Sequence, residues 1–122
     1  MQQKILVVDD DESILEVIQI VLEGEGYKIQ TSLNSRCFQH ITSCLPDLIL
    51  LDVLLSGEDG RELCRQLKRN QATAHIPVVI LSAHTDADKL VEVSGADGFL
   101  EKPFDVDALI ETVEKHLVSV RN

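Results

Sequence analysis

Five polar positions in this chain follow directly on short apolar runs. Asp9 and Asp10 come after Ile5–Val8, Asp52 after Leu48–Leu51, Ser82 after Pro77–Leu81, and Lys102, with Pro103 behind it, stands just past Gly98–Leu100. If these groups meet, they share a chemistry. Carboxylates within a few ångströms of one another repel, and keeping all of them ionised requires positive charge nearby. Lys102 offers one such charge and a divalent cation would offer the rest. The donors are hard oxygens, with no soft sulfur or paired histidines among them. The cation implied is therefore Mg²⁺, which takes one or two carboxylates plus phosphate oxygens and keeps several waters. Mg²⁺ would position a phosphoryl donor, and phosphoryl transfer needs mainly in-line placement and neutralised charge, conditions under which a carboxylate is an adequate nucleophile. Asp52 is the candidate acceptor. Taken singly each residue says little, since an Asp after a strand is equally a helix cap, and that reading stays open for Asp9 and Asp10.

The convergence depends on the elements that carry these residues. Short β-branched runs alternate with helical patterns: Ile5–Val8 then Ile14–Leu22, Tyr27–Thr31 then Arg36–Ser43, Leu48–Leu51 then Arg61–Lys68, Pro77–Leu81 then Ala87–Ser94, Gly98–Leu100 then Val106–Leu117. The pattern is (βα)₅. Strands that are apolar at consecutive positions must be covered on both faces, as in a parallel sheet between helix layers, and regular alternation predicts an open α/β sandwich. In such a sheet ligands bind outside the carboxyl ends of the strands, where the polar residues stand. Ile14, Val17, Ile18, Val21 and Leu22 form one helical stripe and Val106, Leu109, Ile110, Val113 and Leu117 another, both expected in the core. Asp105 is placed to cap the last helix, and Gly24 and Gly26 to stop the first. In Asp86–Gly95, Val91 and Val93 cannot both face inward, so this helix is expected to expose apolar surface. Gly57 and Gly60 flank Glu58 and Asp59 in the turn after Asp52; the glycines are read as backbone freedom and the acidic pair as solvated.

Composition excludes several classes. A chain of 122 residues holds one domain, 1–122. Cys37, Cys44 and Cys64 have neither the number nor the spacing of a disulfide framework or a zinc site and are expected as reduced, buried thiols. The opening MQQKILVVDDDE is not a signal peptide, and no apolar run reaches membrane-spanning length, so a cytoplasmic protein without a membrane partner is expected. Eleven basic against twenty-one acidic residues give a formal charge of −10, which argues against direct nucleic-acid binding.

Four segments, VVDD, LLDVLLSGEDG, VVILSA and GADGFLEKPF, resemble the receiver domains of two-component response regulators, the superfamily of the chemotaxis regulators, over essentially the whole chain. The resemblance implies a flavodoxin-like doubly wound sheet of order 2-1-3-4-5. It implies that Asp52 accepts phosphate from a sensor histidine kinase or a histidine phosphotransfer protein, and that Asp9, Asp10, Asp52 and the backbone carbonyl of Leu54 hold Mg²⁺. Ser82 and Lys102 would bond phosphoryl oxygens, Phe99 would turn inward as Ser82 moves, and Lys102–Pro103 would be cis. Such a domain is a phosphoacceptor that catalyses only its own phosphorylation and dephosphorylation. Its output goes to a protein or domain through the face of the fourth helix, fifth strand and fifth helix, with a phosphorylation-dependent homodimer left open. The family usually has a proline where this chain has Ser56, and Leu54 is apolar at an often polar position. Leu54 and His84, two residues past Asp52 and Ser82, border the path of hydrolytic water and are candidate modulators of phosphoryl lifetime, with the sign open.

Two alternatives are weighed beside this reading. A Mg²⁺-dependent phosphatase of the haloacid dehalogenase type would carry a second Asp two residues after the nucleophile, where this chain has Leu54. A phosphate-independent docking module on the same fold would lack one of the acidic pair, the hydroxyl or the lysine, all of which are present. Because Asn122 follows soon after the last helix, both a stand-alone regulator without an output domain and a fragment of a DNA-binding regulator remain consistent with the sequence.

Overall fold

The computed structural model describes residues 2–55, 57–83 and 87–121. Strand β1 (Lys4–Val8) leads to α1 (Glu12–Gly24), β2 (Lys28–Ser32), a 3₁₀ segment (Ser35–Ser43) and β3 (Leu48–Asp52). Two short strands, β4 (Leu54–Leu55) and β5 (Glu58–Asp59), pair as a small antiparallel ribbon before α2 (Gly60–Arg69). The chain continues as β6 (Val78–Ser82), α3 (Ala87–Ser94), β7 (Gly98–Glu101) and α4 (Val106–Arg121). The large sheet runs β2-β1-β3-β6-β7 with every pairing parallel, which is the order 2-1-3-4-5 when only its own strands are counted.

Alternation along the central strands divides the core in two. From β1 and β3, Ile5, Val7, Leu48 and Leu50 point to one face, where Leu15, Ile18 and Leu22 of α1 meet Leu109, Val113 and Leu117 of α4. Leu6, Val8, Ile49 and Leu51 point to the other, covered by Ile41 of the 3₁₀ segment and by Cys64 and Leu67 of α2. Burial of both faces at 0–2 % exposure along β1 from Ile5 to Val8 and along β3 from Leu48 to Leu51 is the signature of a doubly covered parallel sheet. Among the described residues no helix is long and apolar enough to cross a membrane.

Several local expectations shift. The helix expected over Arg36–Ser43 forms as a 3₁₀ segment, capped by the Asn34 side chain at the Arg36 amide (2.9 Å) and kinked at His40. Cys37, Phe38, Ile41 and Thr42 are weak helix formers, and in the tighter turn Phe38 and Ile41, three apart, line up over the same core. Helix α1 is turned about its axis relative to the expected stripe: Leu15 is buried and Val17 is 52 % exposed, as is Val106 at the start of α4 (50 %). In α3, Val93 is 43 % exposed, in line with its conflict with Val91. Asp105 caps α4, its carboxylate accepting from the Ala108 amide at 2.7 Å. Past α1, Gly26 has φ +94°, the left-handed conformation that lets the chain turn back toward β2. Of the cysteines only Cys64 is buried, and burial pushes its thiol up to about 11; Cys37 is half-buried and Cys44 exposed, all three free.

Candidate functional site

Strand ends bring the polar residues together at the carboxyl edge of β1, β3, β6 and β7. Asp9 follows β1, and its amide continues the ladder to the Ser32 carbonyl at 3.1 Å, which leaves its side chain pointing over the edge. The residue is fully buried. Asp52 is the last residue of β3, 6 % exposed, and Ser82 the last of β6, 1 % exposed. One carboxylate oxygen each from Asp9, Asp10 and Asp52 fall within 4.8 Å of one another, Asp10 being exposed to solvent. Lys102 arrives from the end of β7, where its amide bonds the Ser82 carbonyl at 2.8 Å. Its Nζ donates to Asp9 Oδ2 at 2.7 Å and lies 3.4 Å from Asp52 Oδ1. The Lys102–Pro103 peptide is cis.

The helix-cap reading of the first acidic residues belongs to a neighbour. Asp11, not Asp9 or Asp10, caps α1 through the Ser13 amide (2.9 Å) and the Ile14 amide (3.4 Å). Asp9 Oδ1 in turn accepts the Asp11 amide at 2.9 Å, so the cap orients the buried carboxylate. The cap signal was present in the sequence as a third consecutive Asp ahead of the first helical turn.

The loop after Asp52 is held close by Gly60. A Cβ at this position would sit 2.2 Å from the Asp52 carbonyl oxygen and 2.7 Å from Val53 Cα, both backbone atoms, while the Gly60 amide donates to the Val53 carbonyl at 2.8 Å. Close approach is the reason for the glycine; Gly57, with φ +75°, is the one in the left-handed region. Gly60→Ala is expected to cost roughly 2–3 kcal/mol, since only a backbone shift relieves the overlap, and to displace Asp52; denaturant midpoints and Mg²⁺ titration of the variant check both.

Glu58 and Asp59, expected to be solvated, both have structural work. Asp59 caps α2 at the Arg61 amide (2.9 Å) and pairs with the Arg61 guanidinium. Glu58 accepts from the Ser35 amide at 3.2 Å and from the Ser35 hydroxyl, tying the Asp52 loop to the start of the 3₁₀ segment. Contacts across 23 residues leave no local signature in a sequence. The Leu54 amide lies 3.4 Å from Asp52 Oδ1 while its side chain is 63 % exposed at the rim. Phe99 is partly buried against the α2 side of the core. His84 and Ser56 lie outside the described residues.

Charge at the site is unbalanced. Burial, and then the Asp9 carboxylate, push the Asp52 pKa above the ordinary carboxylate value, with Lys102 pulling the other way. Burial works against the charged form of Lys102, but the bond to Asp9 and the charges of Asp9 and Asp52 outweigh it and raise its pKa. Three clustered carboxylates facing one ammonium, with oxygen donors alone, fit a hard divalent cation of the Mg²⁺ type.

A raised Asp52 pKa means that the folded chain keeps this proton to higher pH than the unfolded chain. Its contribution to stability is complete below the unfolded pKa and is lost as pH rises through the folded pKa. Without a divalent cation, the stability of the wild type is therefore expected to fall as pH rises above the ordinary carboxylate range. In Asp52→Asn this contribution to the slope is expected to vanish, as urea midpoints against pH will show.

A family model for the response regulator receiver domain matches residues 5–114. The chain is 40 % identical over 120 residues to the DNA-binding response regulator MtrA of Mycolicibacterium smegmatis, an alignment that takes in 96 % of this chain and 51 % of that protein. The chain thus spans about half the length of the curated relatives it matches. Among solved structures, it is similar to the receiver domain of NtrX from Brucella abortus, with TM-score 0.85 and 33 % identity over 94 % of this chain and 98 % of that one. It is also similar to the chemotaxis response regulator CheY4 of Vibrio cholerae, with TM-score 0.88 and 26 % identity over 95 % and 99 % of the two chains.

Proposed function

The chain belongs to the response regulator receiver domains of two-component signalling, and from that premise we propose that it is a switch thrown by phosphorylation of Asp52. The observation that carries this reading is the meeting of Asp9, Asp10 and Asp52 within 4.8 Å, with Lys102 bonded into the same group. Asp9, Asp10, Asp52 and the Leu54 carbonyl would hold Mg²⁺, which when bound would neutralise phosphoryl oxygens and orient the donor. The donor is a phosphohistidine of a sensor kinase or phosphotransfer protein. The chain catalyses only its own phosphorylation and hydrolysis and acts on no other substrate.

Before transfer Lys102 is closer to Asp9 (2.7 Å) than to Asp52 (3.4 Å). A phosphoryl group on Asp52 gives the ammonium a new anionic partner and the Ser82 hydroxyl an oxygen to bond. These contacts exist in one state and not the other, which is the requirement for a population shift. Ser82 and Phe99 sit on the adjacent strands β6 and β7, where Ile80 pairs with Phe99 and Ser82 with Glu101, so movement at the hydroxyl has a short route to the aromatic ring. The altered surface is α3–β7–α4, whose exposed Val93 and Val106 suit a protein partner, an output protein or domain or a second copy of the chain. The formal charge of −10 over the 122 residues supports output by protein contact rather than by nucleic-acid contact from this domain. Leu54, at the rim beside Asp52, borders the path of hydrolytic water and tunes phosphoryl lifetime.

Intact mass after incubation with acetyl phosphate tests the reading. A gain of one phosphoryl group that requires Mg²⁺ is expected; no gain from acetyl phosphate or from a phosphorylated histidine donor would mean a phosphate-independent docking module.

A further inference from the structure

At the edge of the sheet opposite the carboxylate cluster, Lys4 opens β1 and Cys44 closes the 3₁₀ segment. Lys4 Nζ lies 2.5 Å from Cys44 Sγ and 3.4 Å from the Cys44 carbonyl oxygen. The backbone holds the two together: the Lys4 amide donates to Asp47 Oδ2 at 2.8 Å, and the Lys4 carbonyl accepts the Asp47 amide at 2.7 Å. Two hydrogen bonds therefore join the first residue of β1 to Asp47, three residues beyond Cys44, and keep strand and loop side by side at the pair.

Cys44 is the exposed cysteine of the three. Lys4, by its hydrogen bond and then by its charge, holds the Cys44 thiol below its ordinary value, with Lys28 adding a smaller pull. A thiolate in contact with a cation and open to solvent is the form that peroxides attack. A cavity of about 180 Å³, lined among others by Cys37, His40 and Cys44, lies against this site and is large enough for a molecule the size of hydrogen peroxide. Burial pushes the Cys37 thiol up, so the second sulfur of the cavity is the weaker nucleophile. Neither Lys4 nor Cys44 has a part in the phosphoacceptor chemistry.

We propose that Lys4 and Cys44 are a peroxide-responsive couple that closes into a sulfur–nitrogen bond, tying the first residue of β1 to the loop before β3. In the first step the Cys44 thiolate attacks one oxygen of hydrogen peroxide. The O–O bond breaks, hydroxide departs and takes up a proton as water, and sulfur is oxidised by two electrons to the sulfenic acid while the peroxide is reduced. In the second step the Lys4 amine, having released one proton to solvent, attacks that sulfur with its lone pair. The S–O bond breaks and the leaving hydroxide departs as water with a second amine proton. Overall, thiol, amine and hydrogen peroxide give the sulfenamide and two waters, and an added thiol reverses the link by attacking the sulfur and releasing the amine.

The test treats the full chain with hydrogen peroxide, removes the peroxide with catalase at neutral pH and measures intact mass without labelling the thiols, then linked peptides. The wild type is expected to lose about 2 Da, restored by a reducing thiol, with Lys4 and Cys44 in one linked peptide. Cys37→Ser is expected to keep the link. Lys4→Arg keeps a cation beside the sulfur without a condensing amine, so it is expected to stop at a sulfenic acid that a dimedone probe traps. A mass loss that survives in Lys4→Arg and disappears in Cys37→Ser would be a Cys37–Cys44 disulfide and would overturn the proposal. So would a wild type in which Cys44 is oxidised without any link to Lys4. Phosphoryl uptake at Asp52, measured on the same samples, reports on the other site independently.

Discussion

Asp52→Asn is expected to take up no phosphoryl group from acetyl phosphate at any Mg²⁺ concentration and, at the same time, to melt higher than the wild type without Mg²⁺. The first effect follows from chemistry, because an amide oxygen at this position cannot form the acyl phosphate that a carboxylate forms. The second follows from electrostatics. Asp52 is 6 % exposed beside a fully buried Asp9, and burial and Asp9 both disfavour its charge. Removing that charge leaves Lys102 with its shorter bond, to Asp9 at 2.7 Å, intact. A rise in Tm of a few degrees corresponds to about 1 kcal/mol in a domain of this size. Mg²⁺ should raise the Tm of the wild type more than that of the variant, since one of the three carboxylates that call for the cation has gone. Thermal melts with and without Mg²⁺, paired with intact mass, read both effects. Phosphoryl uptake by the variant would show that the acceptor is another residue and would sink the assignment.

Lys102→Met carries the second large effect. Asp9 has 0 % exposure, and its Oδ2 relies on Lys102 for a charged partner. Methionine keeps much of the volume of the lysine stem and deletes the ammonium, so Asp9 and Asp52 would face each other without it. Breaking a buried ion pair from one side costs roughly 3–5 kcal/mol, because the remaining charge is left uncompensated. That loss is expected in urea unfolding without divalent cation and should shrink on adding Mg²⁺, which can take over the neutralising role. If Lys102→Met were as stable as the wild type without Mg²⁺, the 2.7 Å pair would have no energetic weight in solution. On the proposed reading, the same variant should still accept a phosphoryl group on Asp52 but more slowly, with the change on α3–β7–α4 weakened, because Lys102 would supply one of the contacts that distinguish the two states.

The two experiments separate acceptor from sensor. On the proposed reading, Asp52→Asn removes the acceptor and relieves charge, whereas Lys102→Met leaves the acceptor and removes the group that would answer to its modification. Opposite signs in apo stability are the diagnostic, and no single role for the cluster as packing or as a helix cap produces them.

The parallel sheet and the site edge were legible because both follow from local patterns, whereas the strand order came from the resemblance to receiver domains. Consecutive apolar residues such as Leu48, Ile49, Leu50 and Leu51 demand cover on both faces, alternation of strand and helix demands parallel pairing, and a parallel sheet puts every strand's carboxyl end on one edge. Asp9, Asp10, Asp52, Ser82 and Lys102 were therefore brought to a common edge by chain order and residue type alone. Rotation about a helix axis is weaker in the sequence, because Ile14, Leu15, Val17 and Ile18 offer more than one apolar face and the choice falls to contacts with α4 and the sheet. That choice buried Leu15 and left Val17 in solvent. Pairings between distant residues were decided by tertiary structure in the same way. Lys102 bonds Asp9 rather than sitting equally between two carboxylates, Glu58 reaches Ser35, and Lys4 meets Cys44. A sequence states which groups must be hidden or charged over a few residues; which partner each one finds is set by where separate elements cross, and only the packed chain determines that.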